Sequence, residues 1–153
     1  MKTEKLNFLQ QDFLILLKKL EPTAKGNWGV MNAQQMVEHM SDSVRIANGK
    51  TPKRIILTPE QVEKARGFML TDKPFKENTK NIELPDVPPP VTQFNMESAI
   101  NELKGEIDTF STAFESADKT ITNPFFGELN FEQWTHLLHK HALHHLKQFG
   151  LNE

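Results

Sequence analysis

Apolar residues recur with helical spacing in several long segments of the chain, and polar residues fill the positions between them. Steps of three and four residues keep side chains on one face of an α-helix, so each such stripe predicts a helix packed against a core. Residues 3–20 carry one stripe: Leu6, Leu9, Phe13, Leu16, Leu17 and Leu20. Residues 96–116 carry another: Ile100, Leu103, Ile107, Phe110 and Phe114.

Three further helices are predicted from their start signals. In each, an Asn or Thr that can cap free backbone amides is followed three residues later by a Gln, the pattern of a capping box. These helices are 32–48 with Asn32 and Gln35, a short one at 58–69 with Thr58 and Gln61, and 130–149 with Asn130 and Gln133.

The connections complete the predicted fold. Residues 71–95 hold five of the nine prolines and predict a long extended crossover between helices. Residues 120–130 predict a tight, partly buried connection, and no strand-like alternation is evident. We therefore expect an all-α, antiparallel-type four-helix bundle with a long crossover connection, forming a single domain over residues 1–153.

Composition narrows the classes of function. The net charge of −2 and pI near 6.3 argue against a general nucleic-acid surface. No apolar run is long enough to span a bilayer, and the first residues lack the pattern of a signal peptide, so we expect a cytoplasmic protein. The chain has no cysteine. Any metal ligands must therefore be imidazole, carboxylate or water, which suits zinc, nickel, iron or manganese.

The last predicted helix places histidines on its inward stripe: Phe131, Trp134, Leu138, His141, His145 and Gln148. His141 and His145 lie one helical turn apart, as two ligands of one metal ion require. His39 lies on the inward stripe of the helix at 32–48. The three could supply nitrogen ligands and leave a position open for water or substrate. The alternative is a histidine-rich helix whose imidazoles only pack and form hydrogen bonds.

Other polar residues near these histidines have less certain roles. His136 and His139 fall on the outer face of the last helix, where we expect them to be solvated. His144 lies to one flank and could support the site or face a substrate. Glu38 and Asp42 flank His39 and could orient a ring or accept a proton. Gln148, on the inward stripe, is a further candidate for supporting a ligand.

Several known catalytic motifs are missing from the sequence. The run from His141 to His145 lacks the glutamate of a zinc-protease helix, and the sequence has no nucleophile elbow, phosphate-binding loop or dinucleotide fingerprint. It also lacks the paired Glu-x-x-His motifs of a di-iron bundle.

Three segments resemble the DinB/YfiT-like superfamily of metalloenzymes, most strongly a branch whose function is not established. They are WGVMNAQQMVEHM at 28–40, NPFFG at 123–127 and HALHHLKQFG at 141–150, which resembles the family's terminal His-x-x-His-His-x-x-Gln motif. Leu146 and Lys147 stand where Arg-Gly often occurs in the superfamily, so the resemblance does not transfer a particular substrate.

The resemblance implies a four-helix bundle and a divalent metal held by His39, His141 and His145. Characterised relatives include transferases and isomerases that use the metal to activate a low-molecular-weight thiol. We therefore expect a metal-dependent enzyme in which a metal-bound water or thiol attacks a small-molecule substrate by transfer or hydrolysis. The alternatives are a non-catalytic metal- or ligand-binding bundle, for example a stress-related one, and a structural role for the histidines. We expect no nucleic-acid or membrane partner; a homodimer is left open.

Overall fold

The computed structural model describes residues 2–77 and 87–151, with side chains from residue 4 onward. Within these residues the chain is mostly helical, with one small two-stranded sheet. The helices are α1 (Lys2–Gln10), α2 (Asp12–Leu17), α3 (Ala33–Ala47), α4 (Pro59–Met69), α5 (Met96–Ala113) and α6 (Phe131–Gln148), and the strands are β1 (Ile121–Asn123) and β2 (Gly127–Leu129).

The predicted first helix, residues 3–20, is divided into α1 and α2. The break falls at Gln11, whose φ of −129° and ψ of −76° lie outside the helical region. Neither proline nor glycine occurs here, so the local sequence does not indicate the break. Apolar side chains of both halves are buried, with Leu9, Phe13 and Leu17 almost completely inaccessible to solvent.

The helices predicted from capping boxes begin where the sequence places them. Asn32, Thr58 and Asn130 each accept a hydrogen bond from the backbone amide three residues on, and the Gln at that position accepts one in return from the capping residue's own amide. Helix α5 starts after Asn95 but ends at Ala113 rather than near residue 116. Phe114 is extended and packs its ring on Phe110.

The connection at 120–130 contains a short β-hairpin, which the sequence did not predict. Strands β1 and β2 pair antiparallel, with Ile121 opposite Leu129. Gly127 has φ of +79°, and a Cβ there would lie 2.9 Å from Val62 Cγ1, so a side chain is excluded on both grounds. The indole Nε1 of Trp134 donates to the carbonyl oxygen of Ile121, which joins the hairpin to α6.

One apolar core lies between the helices. Helix α3 packs against α5, α1 packs against α6, and α3 also contacts α6. The buried side chains at the centre include Phe13, Met36, Phe110 and Trp134. None of the described helices combines the length and apolar character needed to cross a bilayer.

The predicted crossover at 71–95 is described at its two ends, and its part at 78–86 lies outside the described residues. At one end, Phe75 packs its ring near His144 of α6. At the other, the carbonyl oxygens of Pro89 and Gln93 accept hydrogen bonds from Gln35 and Gln34 of α3. The described ends of the crossover are thus fixed to the two helices that carry the inward histidines.

Candidate metal centre

Helices α3 and α6 bring three histidines together. His39 lies in the middle of α3, while His141 and His145 are one turn apart on α6. Both helices start at a capping box, which fixes where each helix begins. Because α3 and α6 pack together, the stripe that each turns inward faces the other. His145 is buried, whereas His39 and His141 are partly exposed.

The ring nitrogens of these histidines converge. His141 Nε2 lies 2.8 Å from His145 Nε2 and 3.2 Å from His39 Nε2, and one nitrogen from each residue falls within 4.8 Å of the others. Zinc–nitrogen bonds of 2.0–2.1 Å at tetrahedral angles would separate two ligand nitrogens by roughly 3.3 Å. The 3.2 Å pair already has this spacing, and the 2.8 Å pair needs to open by roughly 0.5 Å. The three residues therefore fit a divalent ion.

Burial keeps these imidazoles neutral. It lowers the pKa of His39 to about 4, with a smaller contribution from the charge of nearby His144. It lowers the pKa of His145 to about 3, and the positive charge of His39 acts in the same direction. The pKa of His141 falls well below its ordinary value, first through burial and then through His145 and His39. A neutral imidazole has the free lone pair that binds a metal ion.

Gln148 and His144 lie beside the three histidines. The side-chain oxygen of Gln148 is 2.7 Å from His145 Nδ1. The ring of His144 meets the ring of His145 edge-on at 5.5 Å and that of Trp28 at the same centroid distance. His144 is thus a neighbour of the cluster, although its nitrogens do not belong to the group that converges.

The two carboxylates that flank His39 are engaged with other partners. Glu38 accepts hydrogen bonds from the backbone amides of Thr92 and Gln93 and from the Thr92 hydroxyl. These bonds lower the pKa of Glu38 although its burial alone would raise it. Asp42 is largely exposed and pairs with Arg45 at 2.7 Å. Glu38 therefore holds the crossover, and Asp42 lies on the surface.

His136 and His139 are partly rather than fully solvated, which limits the expectation from helical phase. His136 Nδ1 lies 2.8 Å from the Lys5 ammonium, and its Nε2 lies 3.0 Å from the carbonyl oxygen of Thr71. The ring of His139 meets that of Phe8 edge-on at 5.3 Å. Helix α1 and the start of the crossover pack on this face of α6, so both histidines are partly buried while pointing away from His141.

Lys140, which the sequence analysis did not single out, is buried beside the site. Its ammonium lies 3.0 to 3.3 Å from the carbonyl oxygens of Phe68, Met69 and Thr71 at the end of α4. It also lies over the rings of Phe68 and Phe75. Burial lowers its pKa, against the charge of Asp72, which raises it. The partial negative charge of the carbonyls at a helix C-terminus attracts such a cation, but sequence spacing does not show which lysine reaches them.

Comparison with known proteins places these residues in a family. Residues 5–149 match the family model described as the DinB superfamily. The match includes all three converging histidines, Gln148 and the loop that contains Trp28. No curated protein and no solved structure matches the chain significantly.

Proposed function

Because this chain belongs to the DinB superfamily and gathers three neutral imidazoles around one point, we propose that it binds a divalent metal ion and uses it to act on a small molecule. The proposed ligands are His39, His141 and His145. The convergence of their Nε2 atoms, at 2.8 and 3.2 Å, is the observation that carries the proposal. An all-nitrogen ligand set suits zinc best, with nickel, iron or manganese as alternatives.

The proposed reaction is transfer or hydrolysis. A bound ion would act as a Lewis acid that lowers the pKa of water or of a low-molecular-weight thiol, the cosubstrate that the family resemblance suggests. The chain's own residues hold the three imidazoles neutral by burial and keep His39 and His141 partly accessible. The rings of Trp28 and His144 lie beside the cluster and would offer a substrate an aromatic surface.

We interpret the packing as a four-helix bundle. In this interpretation α1 and α2 together form the first helix, and α3, α5 and α6 form the others. The contacts of α3 with α5, of α1 with α6 and of α3 with α6 support it. The histidines would then project into the bundle from two neighbouring helices, an arrangement used by metal sites in other bundles.

A non-catalytic metal- or ligand-binding protein is the second candidate. The observation that favours it is the engagement of both carboxylates next to His39. Glu38 is held by the crossover and Asp42 by Arg45. Neither is placed to serve as a general base without leaving its partner, so the proposed chemistry depends on the ion and its ligands.

Metal analysis of protein purified without a histidine tag tests the binding step. We expect one divalent ion per chain and a rise in melting temperature when zinc is added to metal-free protein. Failure to bind zinc, nickel, iron or manganese above background would reject the proposal. A turnover assay with a small thiol and an electrophile, comparing loaded and metal-free protein, then separates the enzyme from the binding protein.

A further inference from the structure

Gln148, at the end of α6, forms two side-chain hydrogen bonds in the interior. Its side chain is only 4% exposed. Its amide oxygen lies 2.7 Å from Nδ1 of His145, one turn earlier in the helix. Its amide nitrogen donates to the carbonyl oxygen of Trp28, at 2.9 Å, in the loop that precedes α3. One side chain therefore connects a proposed metal ligand to a loop distant in sequence.

The chemistry of these partners fixes which way the amide faces. A backbone carbonyl only accepts hydrogen bonds, so the NH₂ group of Gln148 must face Trp28. The amide oxygen then faces His145 and can only accept, so Nδ1 of His145 carries the proton. The lone pair of the neutral ring is consequently on Nε2. That atom is the one 2.8 Å from His141 Nε2, inside the cluster.

The loop is shaped to hold Gln148. A Cβ on Gly26 would lie 2.9 Å from Cγ of Gln148, and a Cβ on Gly29 would lie 2.8 Å from its amide nitrogen. Gly29 also has φ of +82°, which disfavours any side chain there. The backbone amide of Asn27 donates to the carbonyl oxygen of Gln148 at 2.7 Å. Larger residues at either glycine would therefore push the loop away from the amide.

We propose that Gln148 is a positioning residue that holds His145 in the tautomer that presents Nε2 to the metal, and that the Gly26–Gly29 loop holds Gln148 in turn. Ligand imidazoles commonly donate their other N–H to an oxygen that fixes the ring. In this protein the side-chain amide of Gln148 provides that oxygen for His145. The same amide places Trp28, whose ring contacts His144. The inference rests on the proposed metal site, and it assigns the loop a part in metal binding without direct coordination.

Substitution of Gln148 tests this role. Gln148→Leu removes the acceptor at nearly constant volume, and we expect zinc affinity to fall by about 10- to 100-fold in calorimetry. Gln148→Glu keeps an oxygen for Nδ1–H but loses the donor to the Trp28 carbonyl, so we expect it to bind zinc less tightly than the wild type and more tightly than Gln148→Leu. Gln34→Leu is the matched control. Gln34 is also a buried glutamine on a helix that donates to a loop carbonyl, that of Gln93 at 3.0 Å, but its other partner is Glu38 rather than a ring.

A second readout does not depend on metal. Long-range ¹H–¹⁵N correlation spectra of metal-free protein report the tautomer of His145 directly. We expect the Nδ1–H form in the wild type and in Gln34→Leu, and a mixture of tautomers in Gln148→Leu. Gly29→Ala, which displaces the loop, should also shift the tautomer toward a mixture.

The two readouts separate this inference from the proposed function. If wild-type protein binds no metal, the proposed function fails, while the tautomer spectra still decide the role of Gln148. If Gln148→Leu keeps both wild-type affinity and the Nδ1–H form, the inference is overturned. The same holds if Gln148→Leu and Gln34→Leu lose zinc affinity equally, because a general loss of packing would then explain the effect.

Discussion

At the residue scale, three neutral imidazoles directed at one point leave at least one inward ring nitrogen without a well-aligned hydrogen bond to another ring. His141 Nε2 has neighbouring ring nitrogens at 2.8 and 3.2 Å, and a single N–H can be well aligned with only one of them. Because Nδ1–H of His145 faces Gln148, Nε2 of that ring is an acceptor. With His39 and His141 in the same tautomer, a divalent cation would satisfy the lone pairs of all three inward nitrogens together, which hydrogen bonds among the rings cannot do. The cluster is therefore better matched to a cation than to packing alone.

Removing one of these rings should abolish tight binding. We expect His141→Ala to lower zinc affinity in calorimetry by more than the 10- to 100-fold typical of losing an orienting partner. His139→Ala is the control on the same helix, because its ring packs on Phe8 instead of facing the cluster. It should lose some thermal stability and keep its affinity for zinc. Equal affinities in the two variants would contradict the proposed site.

Helical spacing is enough to place each of the three histidines on the inward face of its own helix, because it fixes the face on which each side chain lies. It could not identify partners that come from another element. The spacing predicts that Gln148 lies on the inward stripe, but its hydrogen bond to the Trp28 carbonyl depends on how the loop packs against α6. His136 was placed outside, which is correct for its direction, but Lys5 and Thr71 cover that face. Lys140 was missed for the same reason.

At the element scale, the capping residues at helix starts predict the elements better than the apolar pattern within each segment does. The capping boxes at Asn32, Thr58 and Asn130 are all present as predicted, because a cap involves residues only three apart. The sequence pattern predicts neither the break at Gln11 nor the hairpin at 121–129. Strands of three residues are too short to establish an alternating pattern, and their pairing is fixed by contacts with Trp134 and Val62.

Two side chains that hold the described ends of the crossover belong to residues next to proposed metal ligands in the sequence. Glu38 precedes His39 and binds Thr92 and Gln93. Lys140 precedes His141 and binds the carbonyls at the end of α4. The described ends of the crossover are therefore fixed by side chains adjacent in sequence to metal-ligand candidates. A shift of either helix would move a ligand and its crossover contact together.

Glu38→Ala should release one end of the crossover. Hydrogen bonds to a charged group contribute about 1.5–3 kcal/mol, so the backbone amides of Thr92 and Gln93 should exchange with solvent at least tenfold faster in hydrogen-exchange measurements. Glu63→Ala, at an exposed position of α4, is the control and should leave these amides unchanged. Unaltered protection of both amides in Glu38→Ala would show that other contacts hold this end.

At the scale of the whole molecule, stability depends on one core shared by the helices. Phe110 is completely buried, stacks on Phe131 at 5.0 Å and packs against Phe114. Phe110→Ala should lower the free energy of unfolding by about 3–5 kcal/mol in a denaturant melt. Phe94, which is 93% exposed, offers the same substitution on the surface, and Phe94→Ala should change stability by less than about 0.5 kcal/mol. A loss below about 1 kcal/mol in Phe110→Ala would contradict its place in the core.

The histidine cluster should also make metal-free protein sensitive to mild acid. The pKa is about 4 for His39 and about 3 for His145 in the folded protein, against about 6.5 in an unfolded chain. Between pH 6.5 and 4 the unfolded state therefore binds more protons than the folded state. The free energy of unfolding falls as pH falls through this range, by up to about 1.4 kcal/mol per pH unit for each such histidine.

Thermal melts of metal-free protein between pH 7 and pH 5 test this dependence. The wild type should lose stability steadily over this range, and His145→Gln, which cannot take up a proton, should lose less. This window lies above the ordinary pKa of the carboxylates, so Glu38 and Glu106, whose pKa values are lowered, contribute little to the difference. Added zinc should raise the stability near pH 7, because it binds the folded state. This stabilisation should fade at lower pH, because protons compete with zinc for the imidazoles. Parallel pH profiles for wild type and His145→Gln would mean that the folded protein does not hold this imidazole neutral.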